Sequence, residues 1–140
     1  MNQFTVATAR LEAADDLASI LYAAYDAFEF MLPVIEGQQD PASGAFTDFV
    51  MAAAYAADGR DALAFAPSLR AVALGETTVV TCSPSALAAA TALAALSRLL
   101  ADRLGTAAIS AANPADRSAC VAARRQASRI ATMLGRAAGQ

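Results

Sequence analysis

The sequence predicts an all-α protein, a single-domain antiparallel helical bundle over residues 1–140, with about five helices, three of them long. Three observations carry this expectation. Forty of the 140 residues are alanine, the best helix former and a poor strand former. Hydrophobic residues make up 57% of the chain and charged residues only 16%, which supplies a core and argues against disorder. Asp40-Pro41, Ser83-Pro84 and Asn113-Pro114 each place a capping residue before a proline, the pairing that opens a helix. A domain of this length buries roughly two-thirds of the surface its unfolded chain exposes, so it needs no metal or disulfide staple.

The first helix is expected from about Thr8 to Leu32. Leu17, Ile20, Leu21, Ala24, Tyr25, Phe28, Met31 and Leu32 follow the i, i+3, i+4, i+7 spacing of an apolar face. Glu12, Asp15, Asp16, Asp26 and Glu29 gather on the opposite arc, and Pro33 with the following "EGQQD" is expected to end the helix. Tyr22 and Phe30 lie beside or within that acidic arc. They are expected to pack under a neighbouring connection rather than anchor an interface.

Asp40 and Pro41 open the second helix, which carries Phe46, Phe49, Val50, Met51 and Tyr55 and should stop at Asp58-Gly59. A short third helix follows from Arg60 to Ala66. The connector from Pro67 to Cys82 reads two ways: a short helix ending at Gly75, or a β-hairpin near 69–82 turning at Gly75-Glu76. Ser83 caps the fourth helix, whose seam is Leu87, Leu93, Leu96, Leu100 and Leu104 and whose end is placed at Gly105. Asn113-Pro114 opens the fifth helix, with Asp116 at its third position, and this helix runs to near Arg136.

Charge is unevenly placed. Up to Thr81 there are eleven acids against three arginines, a balance of −8; from Cys82 onward there are two acids and seven arginines, a balance of +5, and together these give −3. The chain has neither lysine nor histidine, which fits a genome that favours arginine codons. On the last helix Arg117, Arg124, Arg125, Arg129 and Arg136 fall within an arc of about 140° at 100° per residue. Ala119, Ala123, Ala127, Ile130 and Leu134 take the other side. A solvated surface produces such a face, and so does a contact site.

The residue types present exclude much chemistry. Without histidine there is no Ser-His or Cys-His nucleophile pair, no HExxH zinc site and no Glu-x-x-His di-iron pattern. Without lysine there is no Schiff base and no P-loop, and no Gly-rich βαβ unit for a dinucleotide is present. No catalytic residue, metal or cofactor is expected. Asp15-Asp16 and Asp26/Glu29 read as solvated acids, and Cys82 and Cys120 as isolated buried thiols of a reducing compartment. "MNQFTVATAR" lacks the basic start and apolar run of a secretory signal, and the uncharged stretch Thr77–Ser97 is broken by Pro84. A cytoplasmic protein with no membrane partner is therefore expected.

The functional expectation is a small non-enzymatic protein–protein interaction module, a regulator, adaptor or inhibitor acting through charged helix faces. Its contact residues would be Arg117, Arg124, Arg125, Arg129 and Arg136, with Glu12, Asp15, Asp16, Asp26 and Glu29 as the opposite-sign face. The acidic arc makes a second copy of the chain one candidate partner. The alternative is a nucleic-acid-binding regulator that uses the same arginines on phosphate. An acidic protein without a helix-turn-helix signature fits that alternative less well.

Overall fold

The computed structural model describes residues 2–70 and 84–139. Six helices account for most of them: α1 Gln3–Ala13, α2 Leu17–Glu36, α3 Phe46–Ala64, α4 Pro67–Arg70, α5 Ala86–Ser110 and α6 Pro114–Ala137. There is no strand among the described residues, and the all-α bundle is what the alanine content and helix punctuation predicted. Four long helices form a ring in the order α2, α3, α6, α5, each packed on its two neighbours. α1 lies along α2 and α5, and α4 touches α2, α3 and α6. Short links make α2/α3 and α5/α6 antiparallel, and α5 lies diagonally across the ring from α3.

Several boundaries differ from the sequence reading, each for a local reason. The expected first helix is two helices. Asp16 accepts a hydrogen bond from Ser19 N at 2.7 Å and caps α2, while Ala14 is extended and its carbonyl accepts from the Arg103 guanidinium of α5. Pro33 lies inside α2, which continues to Glu36 because Val34 and Ile35 are buried in the core. Asp40 caps a turn instead of a helix: its side chain accepts from Ala42 N at 3.0 Å and its carbonyl from Ser43 N at 2.9 Å. α3 then starts at Phe46.

α3 runs unbroken through Asp58-Gly59, so the expected second and third helices are one. Gly59 is buried against Phe28 of α2, and a Cβ there would stand 2.5 Å from the ring. The glycine thus serves close helix packing. α5 likewise passes through Gly105 to Ser110, and Ser85, not Ser83, caps it, accepting from Ala88 N at 3.2 Å. Of the hairpin considered for 69–82, Leu69 and Arg70 belong to α4; residues 71–83, with Cys82 and Ser83, lie outside the described residues. Leu93, Leu96, Leu100 and Leu104 form the buried seam of α5, but Leu87 is 61% exposed.

α2 is long and apolar enough to cross a membrane by length and composition, and 61% of its most apolar stretch is buried inside the bundle. That burial is what a core helix shows. Phe30 is buried edge-on against Phe4 of α1, their ring centroids 5.0 Å apart, and Tyr22 packs partly buried against the core. Asn113 caps α6 through Ala115 N at 2.8 Å, as the sequence predicts. Asp116 does more than favour the helix dipole. It is 2% exposed and accepts from Ser68 N at 3.0 Å and from the Ser68 hydroxyl at 2.6 Å, which ties α4 to the start of α6.

Candidate binding face on the C-terminal helix

α6 places its small and apolar residues, Ala119, Ala123, Ala127, Ile130 and Leu134, in the core. This leaves Arg117, Arg124, Arg125, Arg129 and Arg136 exposed on the outer arc, where the 3.6-residue period puts them. The one acid of α6, Asp116, is turned inward, so the outer arc has positive charge only.

The ring of helices divides this arc between two faces. Arg124 and Arg136 look toward α5, where they line a cleft of about 650 Å³ together with Arg98 and Asp102. The rest of the lining is small: Ala101, Ser128, Ala131, Thr132 and Gly135. Gly105 of α5 leaves space for the Arg124 stem, since a Cβ there would sit 3.3 Å from Arg124 Nε. On the other side Arg129 lies over the Tyr55 ring of α3, 5.8 Å from its centroid, and donates to Gln126 Oε1 at 3.4 Å. Arg136 donates to Met133 Sδ at 3.2 Å, and Arg117 reaches back to the Ala111 carbonyl at 2.8 Å. Two large apolar side chains stand out at this end of the molecule, Ile109 (88% exposed) on α5 and Val121 (45%) on α6.

The acids expected to form one opposing arc are not brought together. Glu12 is on α1, in a groove with Phe4 and Leu99, while Asp15 and Asp16 lie in the break before α2. Hydrogen bonds from the Ser19 side chain and N–H hold the Asp16 carboxyl below its usual range. Asp26 pairs with Arg10 of α1 at 2.8 Å, and Glu29 with Arg60 of α3 at 3.5 Å. The helix break at 14–16 and these internal pairs dissolve the arc. Arg98, Asp102 and Gly105 were missed as site residues; their i, i+4, i+7 spacing is the signal that puts them on one face.

Among the described residues no group of three or more His, Cys, Asp or Glu side chains could hold a metal ion. Cys120 is a buried thiol, as expected, and burial pushes it up to about 11, with the nearby Asp116 charge adding to the effect. With Cys82 replaced by serine, Cys120 should react with a disulfide reagent at pH 8 only on the timescale of opening, and rapidly once the chain is denatured. Because the folded thiol titrates above its ordinary value of 9.0, its protonated form favours the native state. Stability from this group should be intact below pH 9 and lost as the pH rises toward 11, which denaturant titrations across that window would read. The chain matches no protein-family profile, no curated protein and no solved structure.

Proposed function

We propose that the chain is a small non-enzymatic interaction module, a regulator, adaptor or inhibitor, that docks a carboxylate-bearing segment of another protein on its α5–α6 face. One observation carries the reading: the outer arc of α6 holds five exposed arginines and no acid, and it is continuous with a cleft that adds Arg98. Guanidinium groups hold carboxylates in paired hydrogen bonds and are enriched in protein interfaces. The small lining residues allow a partner backbone to come close, since interhelical distance is set by the side chains at the contact. Ile109 and Val121 supply apolar area, which a protein partner uses and a phosphate backbone does not.

Capture of the tagged chain from its native lysate, with and without nuclease, tests this reading against the nucleic-acid alternative. A protein should be retained after nuclease treatment, and its recovery should fall at least tenfold with Arg98→Glu/Arg124→Glu. Nucleic acid that co-purifies and vanishes with the same substitutions would replace the reading with its alternative. Equal recovery by wild type and variant would make the face plain solvated surface.

A further inference from the structure

Opposite charges are found on α3, the neighbour of α6 in the ring. The outward stripe of α3 is Val50, Met51, Ala54, Asp58 and Asp61, all exposed, with no base among them. Asp61 is 63% exposed and accepts from Arg60 through Oδ1 at 3.2 Å. α3 and α6 are neighbours in the ring, so an acidic and apolar stripe runs alongside a basic one.

One contact sets the register of this pair and a second its direction. Tyr55 meets Arg129, and Ser68 of α4, beyond the end of α3, meets Asp116 near the start of α6, so the two helices run antiparallel. Asp58 is therefore level with Gln126, between Arg125 and Arg129, and Met51 is level with Met133. A two-fold axis parallel to the helices lays α3 of a second copy over α6 of the first without any change of height. Asp58 of the second copy then arrives between Arg125 and Arg129, and its Met51 over Met133. The operation repeats the same contacts on the other side, so the assembly closes as a pair rather than growing into a filament.

We propose that the α3–α6 face is a self-complementary surface on which a second copy of this chain docks. The arginine over Tyr55 is already held at the seam, which lowers the entropy lost when it meets a carboxylate. The proposal rests on the reading of α6 as a contact helix and assigns its Arg125–Arg129 half to self-association, leaving the Arg124–Arg98 cleft for another protein.

Sedimentation of the purified full chain tests it. Wild type should sediment at twice the 14.3 kDa chain mass at micromolar concentrations. Arg125→Glu/Arg129→Glu and Asp58→Arg/Asp61→Arg should each raise the dissociation constant at least tenfold. An equimolar mixture of the two variants should dimerise again, because each then meets the opposite sign at both contacts. Recovery in the mixture also shows that both variants fold, and helical circular dichroism checks each alone. A wild type that stays monomeric at high micromolar concentration, or a dimer that neither variant weakens, overturns the proposal. Either result leaves the cleft reading intact, because that reading is tested separately by Arg98→Glu/Arg124→Glu, neither of which lies in the α3–α6 contact.

Discussion

Replacing Phe28 by alanine is expected to lower the stability of the fold by about 3–5 kcal/mol, the range for a large aromatic removed from a tight core. The ring is fully buried and fills the space that Gly59 leaves on α3, so nothing nearby can collapse into the gap without moving a helix. Gly59→Ala tests the same contact from the other side. Helix propensity alone favours alanine by about 1 kcal/mol, yet a Cβ at 2.5 Å from the ring forces a shift whose typical cost is about 1–3 kcal/mol. The expected net result is a loss. Combining Gly59→Ala with Phe28→Leu should cost less than the two single changes added together, since the smaller side chain makes room for the methyl. Urea unfolding of the four proteins measures the cycle, and strict additivity would mean that the two residues do not share this space.

Asp116→Ala is expected to cost about 1–3 kcal/mol, because it leaves the half-buried Ser68 N–H and hydroxyl without their acceptor. The carboxylate holds α4 to the first turn of α6, so the loss should be local as well as global: the Ser68 amide should exchange with solvent faster than amides in the middle of α6. Asp116→Asn keeps one acceptor oxygen and should cost less. It also removes the charge that helps hold the Cys120 thiol protonated, so that thiol should titrate lower in the variant than in wild type. Hydrogen exchange and thiol titration read these two effects separately. An unchanged Ser68 amide in Asp116→Ala would show that α4 is held by other contacts.

The core side of each long helix was legible because apolar spacing reports it directly. Ile20, Leu21, Phe28 and Met31 on α2, Leu93, Leu96, Leu100 and Leu104 on α5, and Ala119, Ala123, Ala127, Ile130 and Leu134 on α6 are all buried as their 3.6-residue period requires. Helix ends were less legible, since proline and glycine have more than one use. Pro33 stays helical because the residues after it are buried, and Gly59 is in a helix interior because the Phe28 ring occupies the space a side chain would take. The arginines of α6 could be placed on one face from their numbers alone. Their neighbours could not, because Arg98, Asp102 and Tyr55 come from other helices.

By itself, then, the sequence determined that this chain is helical, which side of α6 enters the core, and that its arginines stand together outside. These are properties of one helix, set by periodicity and capping. Only the tertiary structure decided which charges meet. It broke the first helix at Ala14–Asp16 and engaged Asp26 and Glu29 with Arg10 and Arg60. It also packed α3, whose exposed side carries Asp58 and Asp61, next to α6. Charge pairing depends on distances of a few ångströms between helices, and those distances follow from how side chains such as Phe28 and Gly59 fit together.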